Sequence, residues 1–182
     1  MTNIRRFHLK NATVFMTAVC QNRNRYLAGL EAKTLLMDIL SEVSLEKGFS
    51  IIGYVLMDDH FHWMIDLSGN PSGTLTYKEK RWNISEIMQS VKLRYTRRLI
   101  KSGKLQTGTN VWQRRFWDHI ICDQEDFNRH LDYLHYNPVK HGYTILPKEY
   151  PWSSFERYYA ENHYPANWGE ADLGNIKEME FE

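Results

Sequence analysis

Two short apolar runs, Ile51-Ile52-Gly53-Tyr54-Val55-Leu56-Met57 and Phe61-His62-Trp63-Met64-Ile65-Asp66-Leu67, are separated only by Asp58-Asp59-His60. Runs of this length, rich in β-branched and aromatic residues and joined by a tight polar turn, read as a β-hairpin. Side chains alternate faces along a strand, so His60 and His62 project together while Phe61 and Trp63 enter the opposite face. Two imidazoles side by side on a strand make a half-site for one metal ion. They are equally two polar residues on a solvated sheet face, and the rest of the chain has to decide.

The flanking sequence supplies the other elements. Residues 12–20 are rich in β-branched and apolar side chains and predict a strand. Residues 27–47 carry Leu30, Leu35, Leu36, Ile39, Leu40, Val43 and Leu45 at helical spacing, and Gly48 ends that helix. Residues 50–57 and 60–67 are the hairpin strands, and residues 68–77 form a loop. Asn83 caps a helix running to about Ile100. After a second loop over residues 101–110, residues 111–121 predict a fourth strand. Asp123 caps a third helix, with Asp126 partly imitating a capping box, and Pro138 ends it. Beyond Gly142 the chain is aromatic, with little periodicity. The order strand, helix, strand, strand, helix, strand, helix predicts an α+β, ferredoxin-like fold of the split β-α-β kind with an antiparallel sheet. Two helices then cover one face and leave the other as a working surface.

At 182 residues the chain predicts one domain over residues 1–167 with an acidic tail over 168–182. No stretch approaches eighteen consecutive apolar residues, which predicts no membrane span. The first residues lack the apolar core of a secretory signal. Cys20 and Cys122 are too few and too far apart to suggest a disulfide framework or a thiolate metal site. A reducing, cytoplasmic compartment is the simplest expectation. The net charge of +1 hides an asymmetry. Residues 78–115 hold eleven basic side chains against two acidic ones, whereas residues 155–182 hold seven acidic against two basic. A basic middle points to a polyanion. The six Trp and eleven Tyr serve cores or serve as stacking platforms for unpaired bases, Trp112, Phe116 and Trp117 among them.

A metal beside a basic, aromatic surface points to phosphodiester chemistry, which then needs a nucleophile. No activated Ser or Cys motif is present, so tyrosine is the candidate. In the second helix Tyr95 falls within the stripe Ile84, Ile87, Met88, Val91 and Leu99 and reads as core. Arg94, Arg97, Arg98 and Lys101 lie on one flank of that helix, facing either a phosphate backbone or solvent. In the third helix Tyr133 lies roughly 120–130° from the stripe Phe127, Leu131 and Leu134, which places it off the core. Asn137, four residues on, shares its face and offers an amide oxygen beside the histidines. Asp126 and His130 share that face too, as assisting groups or as plain surface residues.

These motifs together resemble a known family. Asp59-His60-Phe61-His62-Trp63-Met64-Ile65 resembles the histidine-hydrophobe-histidine signature of the HUH single-strand endonucleases. Three further stretches resemble segments of the REP-associated tyrosine transposases: Trp112-Gln113-Arg114-Arg115-Phe116-Trp117-Asp118-His119, residues 130–142 with Tyr133-Leu134-His135-Tyr136-Asn137-Pro138, and Trp152-Ser153-Ser154-Phe155. The resemblance implies an HUH palm in which Tyr133 is the nucleophile and His60, His62 and Asn137 hold Mg²⁺ or Mn²⁺. It implies a bacterial enzyme, monomeric where related insertion-sequence transposases are dimers. Its implied substrate is single-stranded or hairpin DNA of repetitive extragenic palindromes, cleaved and rejoined through a 5′-phosphotyrosine. Arg94, Arg97, Arg98, Lys101, Arg114 and Arg115 are the expected DNA contacts. In some members the C-terminal extension restrains activity. Two readings compete with this one. The first is a non-catalytic binder of structured single-stranded nucleic acid on the same fold. The second is a metal-dependent hydrolase that uses water.

Overall fold

The hairpin anchors the sheet. In the computed structural model, which describes residues 12–68, 83–170, 176 and 179, β1 (Thr13–Val19), β2 (Ser50–Leu56), β3 (His60–Asp66) and β4 (Trp117–Ile120) form an antiparallel sheet in the order β2-β3-β1-β4. This is the expected ferredoxin-like arrangement. The expectations for residues 1–11, for residues 69–77 and for the basic Lys78, Lys80 and Arg81 lie outside the described residues.

Alternation along the central strands makes two cores. Val14, Met16 and Ala18 of β1 and Phe61, Trp63 and Ile65 of β3 point to one face. There they meet α1 (Leu30–Lys47) and α2 (Ile84–Lys101). Each fully buried aliphatic or aromatic side chain contributes about 1.5–3 kcal/mol. Gly48 stops α1 in the left-handed region, at φ 68°, where a residue without Cβ carries no steric cost. The Asn83 side chain accepts from the Glu86 N–H, and the Glu86 carboxylate accepts from the Asn83 N–H, completing a capping box on α2. Tyr95 is buried as expected, donating its hydroxyl to the Tyr26 carbonyl at 2.8 Å.

The opposite face carries Phe15, Val55, Met57 and Met64, covered by α3 (Gln124–Lys140). The Asp123 cap is present, its side chain accepting from the Asp126 N–H at 2.9 Å. Two boundaries differ from expectation. Pro138 lies inside α3 rather than at its end. Proline removes one N–H, the bond to the Leu134 carbonyl, and so near the C-terminus the remaining turn survives. The helix closes at His141 and Gly142 instead, with the Tyr143 N–H returning to the Pro138 carbonyl. The fourth strand is shorter than residues 111–121. Trp112 makes only an isolated bridge to Cys20, and pairing with β1 begins at Trp117.

The aromatic C-terminal region contains a helix that its weak periodicity did not announce, α4 (Phe155–Ala160). Ahead of it, Trp152-Ser153-Ser154-Phe155 covers the outer edge of β2. The Leu56 N–H donates to the Trp152 carbonyl and the Ser154 N–H to the Tyr54 carbonyl. An exposed strand edge is thereby paired. Ser154 Oγ also lies 2.8 Å from His135 Nε2, whose Nδ1 is 2.9 Å from the Tyr164 hydroxyl.

The close approach of α3 depends on Gly53. A Cβ built there lies 3.1 Å from Leu131 Cδ1 and 3.3 Å from Ser154 Oγ. Gly53→Ala is expected to cost about 1–3 kcal/mol by overpacking, read as a lowered denaturant midpoint. The hairpin turn depends on Asp58, which is ion-paired to Arg25 and to the buried Lys33. Burial raises the Asp58 carboxyl, but the bonds from Lys33 and Arg25 outweigh it and hold the group below its ordinary value. A depressed carboxyl contributes stability above its unfolded pKa of about 4, lost as pH falls below it. Asp58→Asn leaves Lys33 uncompensated and is expected to cost about 3–5 kcal/mol at neutral pH. It should also flatten the acid limb of a melting-temperature profile; an unchanged limb would contradict this assignment.

Candidate active site

His60 and His62 leave β3 toward α3, as alternation requires, and both are almost wholly buried. What orients them comes from neighbouring side chains. His62 pairs across the sheet with Thr17, whose Oγ1 lies 2.7 Å from His62 Nδ1. His60 Nδ1 lies 2.7 Å from Asp59 Oδ1, and Arg23 Nη1 reaches Asp59 Oδ2 at 3.2 Å. A carboxylate only accepts, so the shorter of the two contacts at His60 Nδ1, 2.7 Å to Asp59 against 3.3 Å to Arg23 Nη1, suits a proton there. With Nδ1 protonated on both rings, each Nε2 turns a lone pair inward.

Asn137 stands between those two nitrogens. Its Oδ1 is 3.3 Å from His60 Nε2 and its Nδ2 is 3.1 Å from His62 Nε2. In this tautomer His60 Nε2 and Asn137 Oδ1 present lone pairs to each other, an arrangement that a cation relieves. Two imidazole nitrogens and an amide oxygen, backed by Asp59 and Thr17, are a plausible donor set for a divalent ion.

Tyr133 lies beside this trio, its ring centroid 5.3 Å from that of His62 and 6.1 Å from that of Phe15. Lys140 Nζ stands 5.0 Å above the Tyr133 ring and donates to the Met179 carbonyl at 2.5 Å. The helical-phase expectation for Tyr133 is corrected here: the side chain is wholly buried, not set off the core. The phase argument assumed a single apolar stripe, but α3 is covered on more than one side. Leu131 and Leu134 sit over Gly53 of β2, Tyr133 sits over β1 and β3, and Tyr136 packs against Trp168 of the C-terminal segment.

The remaining expected residues fall elsewhere. α2 packs on the opposite face of the sheet from the histidines. Arg94 pairs with Glu46 and Glu42, and Arg98 bonds Glu42 at 2.5 and 2.7 Å. These two guanidinium groups are committed to α1. Arg97, Lys101, Arg114 and Arg115 are exposed, and among the described residues none has an ion pair. Asp126 is occupied by His119 and the Cys122 N–H. Trp112 is core, and Phe116 lies beneath Lys92. Sequence reasoning passed over Thr17, Arg23, Lys140 and His141, whose ring is 5.1 Å from that of His60. The positions of Lys140 and His141, three and four residues after Asn137 on one helix, were the available signal for the last two.

Known proteins resemble this chain along most of its length. Residues 8–137 match the family described as transposase, IS200 like. A REP-associated tyrosine transposase of Escherichia coli K12 is 31% identical over 168 residues, spanning 92% of this chain and 91% of that one. A Haemophilus influenzae protein provisionally assigned to the same group is 33% identical over 183 residues, spanning 93% and 94%. The solved structure of a REP-associated tyrosine transposase bound to a REP hairpin matches with a TM-score of 0.74 at 27% identity, covering 95% of both chains. The chain belongs to the IS200-like transposase family, in its branch of REP-associated tyrosine transposases.

Thr17 is the residue whose removal tests the trio without touching a candidate ligand. Thr17→Val keeps the strand but removes the acceptor for His62 Nδ1. Loss of such a partner typically costs 10–100-fold in metal affinity. Manganese titration followed by calorimetry should show a loss of that order with the fold intact; unchanged affinity would dissociate Thr17 from metal binding.

Proposed function

We propose that the chain cleaves and rejoins single-stranded DNA at hairpins of repetitive extragenic palindromes, with Tyr133 as nucleophile and His60, His62 and Asn137 as the metal-binding set. The observation that carries this reading is the convergence of both Nε2 atoms and the Asn137 amide within 3.1–3.3 Å, with the Tyr133 ring against His62. The hairpin substrate is supported by the solved relative, which is bound to a REP hairpin.

The chemistry follows from these groups. A bound Mg²⁺ or Mn²⁺ would offset charge that builds on the scissile phosphate. Thr17 and Asp59 hold the two imidazoles with their Nε2 atoms on Asn137, where such an ion would be held. Tyr133 Oη loses its proton to a nearby base or to solvent as it attacks phosphorus, forming a P–O bond to tyrosine and breaking the bond to the 3′ oxygen, which leaves as a hydroxyl after taking up a proton. The positive charge of Lys140 near the ring favours the phenolate that develops during attack. The link to tyrosine conserves the phosphodiester energy, so reversal rejoins strands without ATP. The working unit is residues 1–167, with 168–182 as an appended acidic tail. Arg97, Lys101, Arg114 and Arg115 supply exposed positive charge for the DNA backbone, with Arg94 and Arg98 contributing only by releasing Glu42 and Glu46.

The burial of Tyr133 favours one rival, a binding module that never exposes its tyrosine. Covalent trapping separates the two. Wild type incubated with labelled hairpin DNA and Mn²⁺ should give an adduct on a denaturing gel that chelator abolishes. Tyr133→Phe should give none while hairpin affinity stays within about threefold, roughly 0.6 kcal/mol. An adduct that survives in Tyr133→Phe overturns the nucleophile. Tight hairpin binding with no adduct across a panel of flanking sequences, in the full chain and after removal of residues 168–182, overturns the enzymatic reading in favour of the binding module.

A further inference from the structure

Where β4 runs into α3, three side chains with metal-binding chemistry meet. His119 is the third residue of β4, Cys122 lies in the link, and Asp126 is in the first turn of α3. Their ligand atoms all lie within 4.8 Å of one another. His119 Nε2 is 2.7 Å from Asp126 Oδ2, and the Cys122 N–H donates to the same oxygen at 3.0 Å. The other carboxylate oxygen, Asp126 Oδ1, lies 2.9 Å from His130 Nδ1. The His119 ring stacks on two neighbours, 4.5 Å from His130 at 11° and 5.8 Å from Trp117 at 12°.

We propose that His119, Cys122 and Asp126 bind a borderline-soft divalent cation of the zinc class, at a site separate from His60, His62 and Asn137. The donor set argues for that class of ion. A thiolate and an imidazole suit Zn²⁺ and Co²⁺ and disfavour Mg²⁺ and Mn²⁺. A tetrahedral zinc with Zn–S of about 2.3 Å and Zn–N and Zn–O of about 2.0–2.2 Å needs ligand atoms roughly 3.3–3.6 Å apart. Rotation of the exposed Cys122 side chain on its short link supplies the contraction. Three protein ligands leave the fourth position to water. On binding, Cys122 releases its thiol proton to solvent and His119 carries its proton on Nδ1, so that Nε2 faces the ion in place of its bond to Asp126.

The two cysteines are far apart in sequence, which gave no reason to expect a thiolate site. The structure assigns them different surroundings. Cys20 is wholly buried on the α1–α2 side, its thiol pushed up to about 12 mainly by burial. Cys122 is exposed beside His119 and Asp126. The ion would tie the edge strand to the first turn of the helix that carries Tyr133 and Asn137.

The test is cobalt titration of the reduced, chelator-stripped full chain. Thiolate coordination produces a charge-transfer band in the near ultraviolet, and Cys122 is the cysteine placed to make it. The expected result is a band saturating at one equivalent, absent in Cys122→Ser and weakened tenfold or more in both His119→Ala and Asp126→Asn. No band at saturating Co²⁺, or a band of unchanged affinity in both of those variants, overturns the site, the second outcome meaning a thiol binding metal unaided. Zn²⁺ should also raise the melting temperature of His60→Ala, but not that of the double variant His60→Ala, Cys122→Ser. A rise lost in His60→Ala and kept in Cys122→Ser would assign all the zinc to the histidine pair and overturn the proposal.

Discussion

The seating of α3 on the sheet is the constraint on which the candidate site depends. His60 and His62 are strand residues, placed by the pairing of β3 with β1 and β2. Asn137 and Tyr133 are helix residues and reach them only if α3 lies close. Gly53 gives the space, with Leu131 and Leu134 settling where its side chain would be. A buried polar network gives the position. His135 bridges Ser154 and the Tyr164 hydroxyl, and that hydroxyl donates to Asp132 at 3.0 Å. Burial pushes the His135 imidazole well below its ordinary range, so it stays neutral. A satisfied network in a low-dielectric interior specifies one arrangement, because a shifted one leaves polar groups unpaired.

The two faces of the sheet have separate tasks. On the α1–α2 side the contacts are mostly apolar, and the charges above them cancel in pairs, Arg94 and Arg98 with Glu42 and Glu46, and Lys104 with Glu31. Exposed pairs of this kind contribute little stability. Their effect is to lower the field of a helix flank that looks strongly basic when read as sequence. On the α3 side the polar groups are buried and each is held by another. Asp59 and Thr17 fix the histidines, and Asp126 joins His119, His130 and the Cys122 backbone.

The extent to which this was legible in the sequence follows the range of the interactions. The Asn83 cap, Gly48, and the alternation of His60, Phe61, His62 and Trp63 are encoded within a few residues, and all appear as read. The site was legible as far as alternation and the family resemblance reach, to the convergence of His60, His62 and Asn137. Thr17 was not, because its role depends on strand register, which pairs it with a residue 45 positions away. Pro138 misled because the rule against helical proline weighs one lost bond, and near a C-terminus the rest of the turn outweighs it. Tyr133 misled for a tertiary reason. One apolar stripe predicts burial on one side of a helix, but α3 is covered on two: Tyr133 lies against Phe15 and His62 of the sheet, while the segment around Tyr164 and Trp168 covers His135 and Tyr136.

That burial bears on how precision and access are divided. A nucleophile attacking in line, the role proposed for Tyr133, needs its oxygen within a fraction of an ångström of the right place, which favours a rigid support. It also needs a path for a phosphodiester, which wholly buried Tyr133 lacks in this arrangement. The histidines supply the rigid half, fixed to a central strand by hydrogen bonds on both sides. The other half is the C-terminal end of α3, which is held by fewer bonds. Beyond Leu134 its backbone lacks one bond because of Pro138, and Lys140, over the Tyr133 ring, is tied to Met179 rather than to the sheet. A change in that contact reaches the tyrosine through a single side chain and leaves Asp59, Thr17 and the two imidazoles where the strands put them.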